Sequence, residues 1–310
     1  VHVGAAIMYS LGHLARFPAY YMERTLIMAG GAAGIAAAFN TPLAGIMFAI
    51  EEMSRSFEQR TSGTLITAVV IAGITAIALH GNYTYFGQTE VEVEIIGQVL
   101  FAILVCGVIG GLLGGFFSFF LIHGARCIQP WQSRKPLLIA ATCGLAIALI
   151  GFLSGGHTYG TGYEEAKLLV SGTGEVSAGF TFYKMLATIA SYLSGIPGGI
   201  FAPSLAAGAG LGSIVSPWFA ATPETAIVML CMVGFFSAVV QTPLTAIIIV
   251  MEMTANQTLL LPIMMTAFIS FGISRLINQE AIYRELAKPF IEQSQHKPRT
   301  PAQQETDHLP

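Results

Sequence analysis

Three long stretches of this chain contain no charge. No Asp, Glu, Lys or Arg lies between Glu94 and Arg126, between Lys184 and Glu224, or between Glu252 and Arg275. A helix that crosses a bilayer needs about 20 apolar residues, and each gap is long enough to supply one. Soluble domains carry roughly a quarter charged residues. Here the charged share is 10% and the hydrophobic share 54% of 310 residues, with a mean hydropathy of +0.68. The surroundings that suit such a chain are lipid. Apolar segments run over 25–50, 64–80, 96–122, 136–154, 185–219, 225–251 and 258–277. A membrane-spanning barrel would show short alternating stretches instead, so the expected fold is all-α and polytopic.

Breaks within these segments carry more information than their lengths. Asn40-Thr41-Pro42, Gly195-Ile196-Pro197-Gly198-Gly199 and Gln241-Thr242-Pro243 interrupt runs that would otherwise continue as helix. At membrane depth, the backbone groups freed by a break must face protein or a water-filled cavity. Two of the breaks belong to an internal repeat: Phe39-Asn40-Thr41-Pro42-Leu43-Ala44-Gly45-Ile46 recurs in type as Val240-Gln241-Thr242-Pro243-Leu244-Thr245-Ala246-Ile247. The two copies reach a carboxylate at the same spacing, Glu51 in the first and Glu252 in the second. Paired interrupted segments mark inverted-repeat transporters, whose substrate site lies at the repeat interface. A helical bundle built on an inverted repeat, with broken helices, is the expected architecture.

The third break predicts a helix that begins near Phe201, after glycines and prolines that cannot continue the preceding one. Its first amides and the positive end of its dipole would then be exposed within the membrane, a place for an anion. Amides carry only partial charge, so a readily released monovalent ion such as chloride fits better than phosphate. The competing reading is a glycine-rich kink that allows close helix packing.

Glu51 and Glu52 close the apolar run that opens at Pro42. An ionisable residue at membrane depth points to a proton relay or ion site; the alternative is a helix end meeting water or pairing with Arg55. Adjacent residues of a helix face different ways, so one of the two would point into a pathway, and spacing does not choose which. Glu252, in Val250-Met251-Glu252-Met253-Thr254, reads as a buried hydrogen-bonded carboxylate that meets Glu51 across the bundle. Tyr283 lies in Ile282-Tyr283-Arg284-Glu285-Leu286 and by position reads as a membrane-belt tyrosine.

Charge and motif content narrow the remaining classes. A net charge of −3 and a pI near 6.2 give no basic surface for nucleic acid. Cys106, Cys127, Cys143 and Cys231 show neither metal-ligand nor redox spacing and read as buried or free thiols. His157-Thr158-Tyr159-Gly160-Thr161-Gly162 reads as an exposed glycine-rich loop. No metal, cofactor or enzyme motif is present. Arg55, Arg60, Arg126, Arg134 and Lys135 flank spans whose intervening loop carries Glu90, Glu92 and Glu94, which places the basic loops in the cytoplasm. Arg284, Lys288, Lys297 and Arg299 lie farther along on the same side. Residues 1–289 form the expected membrane domain, and 290–310 a disordered polar tail. The first residue is Val, with no leader pattern after it, so the chain reads as part of something longer.

Together the motifs resemble one family, the CLC chloride channels and proton/chloride antiporters. The resemblance rests on Gly30-Gly31-Ala32-Ala33-Gly34-Ile35-Ala36-Ala37-Ala38-Phe39-Asn40-Thr41-Pro42-Leu43-Ala44-Gly45 running to Ile50-Glu51-Glu52-Met53, and on Gly198-Gly199-Ile200-Phe201-Ala202-Pro203. It extends through Thr242-Pro243-Leu244 to Tyr283. It implies that the Ile200 and Phe201 amides and the Tyr283 hydroxyl coordinate chloride, framed by Gly198, Gly199 and Pro203. It also implies that Glu52 passes protons, with Glu51 and Glu252 in support. Passive channels of the family usually carry an apolar residue at the Glu52 position, so antiport is the expectation and a passive channel or a non-transporting membrane protein the alternative. The family's Gly-Arg-Glu-Gly-Pro gate and Gly-Ser-Gly-Ile-Pro motif are not in this sequence; Val1-His2-Val3-Gly4 resembles the residues directly downstream of that gate. A fluoride-exporting relative would depart from the Tyr283 pattern. The resemblance further implies a homodimer meeting through parts of 41–80 and 243–275, in the cell membrane (the inner membrane of a Gram-negative cell).

Overall fold

The computed structural model describes residues 1–18, 25–54, 59–89, 91–95 and 97–288. The tail expected over 290–310, and with it Lys297 and Arg299, lies outside the described residues, as do Arg55, Glu90 and the side chain of Arg60. Helices are α1 (His2–Leu14), α2 (Ile27–Phe39), α3 (Pro42–Phe48), α4 (Gln59–His80), α5 (Gly97–Arg134), α6 (Pro136–Leu153), α7 (Tyr163–Ser171), α8 (Phe180–Leu193), α9 (Phe201–Val215), α10 (Glu224–Val240), α11 (Pro243–Thr254) and α12 (Leu260–Ile277). A wide π turn, Ala49–Ser54, comes directly after α3, and residues 282–288 form a last short helix, α13. There is no strand among the described residues. Among the described residues four helical segments are long and apolar enough to cross a membrane: Gly63–His80, Gly97–Arg134, Pro136–Leu153 and Leu260–Lys288.

The apolar segment expected over 25–50 is two helices, because Asn40 adopts a left-handed conformation (φ 54°, ψ 41°) and Pro42 opens a new helix. Gln241 does the same between α10 and α11 (φ 55°, ψ 32°). The two threonines next in sequence match as well, Thr41 at φ −127°, ψ 75° and Thr242 at φ −125°, ψ 80°. The repeat read in the sequence is therefore a repeat of backbone conformation. Left-handed geometry is uncommon away from glycine. Both side chains are anchored: Asn40 Nδ2 donates to the Tyr83 carbonyl at 2.6 Å, and Gln241 Nε2 to the Asn278 carbonyl at 2.9 Å.

At the centre stands α10, buried on every side from Ala226 to Val240, as an all-apolar helix must be. Around it pack α5, α9, α11 and α12. The approach is backbone to backbone. A Cβ on Gly110 or Gly114 of α5 would lie 2.9 Å from the Phe235 nitrogen or 2.6 Å from the Phe235 oxygen, and one on Gly212 of α9 only 2.3 Å from the Val228 Cα. Gly107, Gly111 and Gly115, on another edge of α5, receive Ile269, Ile273 and Ile277 of α12. Serine hydroxyls cross the same seams: Ser270 to the Gly107 carbonyl at 2.8 Å, Ser274 to Ala238 at 2.6 Å and Ser237 to Ala267 at 2.9 Å. These are the small-residue contacts by which helices associate in lipid. A second group, α1, α2 and α4, packs with α3, and the α3–α11 pair joins that group to the rest.

Candidate functional site

Ile200 is the N-cap of α9, and the helix begins at Phe201 as the glycine and proline pattern predicts. The Ile200 carbonyl accepts from the Ser204 amide at 3.1 Å and from its hydroxyl at 2.6 Å. Pro203, in the first turn, has no N–H to offer, a position proline tolerates well. Among the described residues the amides of Ile200, Phe201 and Ala202 have no acceptor. Ile200 itself is only 3% exposed, so a buried helix start presents unspent donors and the positive end of its dipole.

Upstream, Gly195 is left-handed (φ 77°), whereas a Cβ on Gly199 would meet nothing within 4 Å and one on Gly198 only the Ile196 oxygen at 3.9 Å. Close packing therefore accounts for neither Gly198 nor Gly199.

Aromatic rings wall the site. Phe201 stacks on Phe39 (centroids 5.6 Å apart, 23° between planes) and meets the Phe236 ring edge-on at 4.4 Å. Phe48 touches Phe201 at 6.2 Å and Tyr283 at 6.3 Å, both edge to face. The first repeat copy thus contributes Phe39 and Phe48, and its partner half α9, α10 and α13. Tyr283, from the stretch that reads as a belt residue by position alone, is half-buried on the core instead. Its electrostatic neighbours are Glu52 and Tyr192. Ile200, Phe201, Tyr283 and Glu52 are in this way brought to one place.

Glu51 is held elsewhere. One carboxylate oxygen accepts from the Leu244 amide at 3.1 Å, and the other from the Thr245 amide at 2.7 Å and its hydroxyl at 2.8 Å. Glu252 does the mirror operation, accepting from the Leu43 amide at 3.1 Å and the Ala44 amide at 2.7 Å. Each repeat's glutamate caps the helix that opens the other repeat. The sequence predicts that the two carboxylates meet each other; in the structure each meets the other's helix start, where partial positive charge replaces a like-charge contact. The π turn separates the fates of the neighbouring glutamates: Glu51 reaches the start of α11, and Glu52 lies within electrostatic range of Tyr283.

One residue leaves little trace in the sequence pattern. Lys184, which there only bounds a charge-free stretch, is 1% exposed and donates through Nζ to the carbonyls of Thr158 (3.0 Å) and Gly160 (2.8 Å). A buried ammonium needs such partners. The loop that reads as exposed is in part an anchored one, with Thr158 buried. A lone lysine inside an apolar helical run is the available signal. On the opposite flank, Arg126 pairs with Glu285, and Lys288 with Glu280 at 3.0 Å. The basic end of α5 and the start of α13 therefore share one face of the molecule.

The chain matches the family model described as "Voltage gated chloride channel" over residues 1–275. It is 32% identical over 304 residues to the H(+)/Cl(-) exchange transporter ClcA of Yersinia pestis bv. Antiqua (strain Angola), covering 91% of this chain and 62% of that one. Among solved structures, a CLC-type fluoride/proton antiporter superposes with a TM-score of 0.78 at 27% identity, over 88% of this chain and 68% of that one. A slow cyanobacterial Cl-/H+ antiporter superposes at 0.73 and 24% identity, over 93% and 70%. The chain spans about 62% of the length of that curated relative, and the relatives named are transporters. It belongs to the voltage-gated chloride channel family.

Proposed function

We propose that this protein exchanges chloride for protons across the cell membrane. The observation that carries this reading is the start of α9, where the Ile200 and Phe201 amides have no acceptor among the described residues and Phe48 packs on both Phe201 and Tyr283. Partial charges of this kind bind a monovalent anion and release it again. In this reading the Tyr283 hydroxyl completes the chloride contacts, while Gly198, Gly199 and Pro203 keep the helix start open and correctly begun. Glu52 takes up and delivers the proton beside the anion, as a titratable group at membrane depth can. Glu51 and Glu252 support it by holding the two repeats together. Chloride is favoured over fluoride by the tyrosine at position 283, and the reading assigns no enzymatic step.

Residues 1–289 form the membrane unit, with the basic ends of α5 and α13 in the cytoplasm. Exposed apolar side chains on both repeats, among them Leu43, Ile71, Ile74, Leu261 and Phe268, suit lipid or a second copy, and a homodimer through parts of 41–80 and 243–275 is our reading of that surface. No nucleic-acid partner is assigned.

The test uses the full-length protein in chloride-loaded liposomes. A chloride gradient is imposed, the potential is clamped with a potassium ionophore and external pH is recorded. Protons driven uphill in the parent, and lost in Glu52→Gln while chloride still moves, establish antiport. Chloride movement with a flat pH trace makes the protein a passive channel, and movement of neither ion overturns the assignment.

A further inference from the structure

The turn into α13 is fastened to α5 through Asn278. Its Nδ2 donates to the Gly115 carbonyl at 2.7 Å, and its own carbonyl accepts from Gln241 Nε2 at 2.9 Å. Farther along, Glu285 is fastened to the same helix a second time. One of its carboxylate oxygens pairs with Arg126 of α5, and the other with Lys288 of α13 itself. Lys288 also reaches Glu280 at 3.0 Å, and Arg284 lies 3.6 Å from the same Glu280 oxygen. Among the described residues Arg126 is the one charged group in this cluster that comes from another helix. Gly115 and Arg126 are three turns apart, about 16 Å along α5. Tyr283 lies between these two pins, with its ring edge to face with Phe48 at 6.3 Å, and Phe48 in turn meets Phe201 at 6.2 Å.

We propose that Arg126 is a positioning residue for the anion site: through Glu285 it holds α13 on α5 and so keeps the Tyr283 hydroxyl in reach of the anion at the start of α9. This inference rests on the anion-site reading above. A helix as short as α13 has no stability of its own, so contacts with the rest of the molecule decide where it lies. Without the Arg126 pair, the part of α13 beyond Asn278 keeps its apolar packing but loses its polar link to α5. Chloride affinity then falls in proportion to the fraction of molecules that hold Tyr283 in place. The Glu285 side chain is 12% exposed and that of Arg126 53%, so water screens the pair only in part. Its contribution therefore lies at the upper end of the range for surface pairs, about a factor of five. Removing Arg126 strands no charge, because Glu285 keeps Lys288.

The experiment measures chloride binding to the detergent-purified full-length protein by calorimetry. The proteins compared are the parent, Arg126→Gln, Arg126→Lys, Glu285→Gln, Tyr283→Phe and the Arg126→Gln/Tyr283→Phe double variant. Equal thermal unfolding establishes that they fold alike. Arg126→Gln and Glu285→Gln are expected to weaken chloride binding about fivefold, and Arg126→Lys, which keeps the charge, to recover most of the loss. In the Tyr283→Phe background Arg126→Gln is expected to add nothing, since the hydroxyl it places is gone. If one glutamine variant unfolds early, the other breaks the same pair and carries the same expectation; loss of folding in both overturns the positioning role. Arg126→Gln that binds chloride as the parent does, while Tyr283→Phe binds it more weakly, overturns the tether and leaves the site standing. Equal weakening by Arg126→Gln in both backgrounds also overturns it, because Arg126 then acts without Tyr283. A parent that binds no chloride at all overturns the anion site itself.

Discussion

Removing either reciprocal cap orphans amides at the start of a helix. In Glu252→Ala the Leu43 and Ala44 amides lose their acceptor. In Glu51→Ala the Leu244 and Thr245 amides and the Thr245 hydroxyl lose theirs. A hydrogen bond to a charged group contributes about 1.5–3 kcal/mol, and a buried donor left without a partner costs about 1–3 kcal/mol. The Leu43 and Leu244 ends are solvent-accessible, so they fall at the bottom of that range. The expected losses are then about 2–4 kcal/mol for Glu252→Ala and about 3–5 kcal/mol for Glu51→Ala. Glutamine, which keeps one acceptor but turns an NH2 toward a donor, falls between alanine and the parent. Because both caps clamp the same helix pair, α3 and α11, the double alanine variant should fall short of the sum by more than about 0.5 kcal/mol. Reversible unfolding in mixed micelles of increasing SDS fraction reads all four values. Alanine variants that both unfold within about 0.5 kcal/mol of the parent would show that the carboxylates do not hold the repeats together.

Glycine packing and the buried lysine give further expected outcomes. Gly212→Ala places its Cβ 2.3 Å from the Val228 Cα and should lower stability by about 3 kcal/mol, the upper end of overpacking costs, in the same unfolding assay. Gly144→Ala, where a Cβ meets nothing within 4 Å, should instead gain up to about 1 kcal/mol from helix propensity. Equal effects at the two positions would refute the packing argument. Lys184→Met removes the ammonium from the Thr158 and Gly160 carbonyls; hydrogen exchange over residues 154–162 should quicken, and unchanged protection there would mean that the loop is held by something else.

The helix breaks were legible because proline and non-glycine left-handed residues leave marks in sequence, and the Thr-Pro-Leu repeat located α3 and α11. The start of α9 was legible for the same reason. Segment ends were less so: α5 continues to Arg134, well past the last apolar residue of its segment and through Pro130, because a helix leaving the membrane needs only a favourable backbone, not an apolar face. The glutamate pair could not be sorted by spacing, since the π turn that separates them depends on what each carboxylate finds across the repeat interface. Lys184 lay inside a helix whose apolar pattern hid it, saturated by a loop a full helix earlier. Tertiary partners of that kind leave no local period.

The glycine edges of α5 bear on how such a molecule can move. Where backbone rests on backbone and serine hydroxyls cross the seam, no layer of pliable side chains is available to absorb a sliding displacement, and a shift short of a full residue repeat breaks hydrogen bonds without forming new ones. Helices α5 and α10 therefore behave as a stator, a rigid block against which displacement elsewhere can be measured. Reporter pairs placed within that block serve as an internal ruler of fixed length. Pairs that run from it to α3, the Ala49–Ser54 turn or α13 are where a working cycle would register.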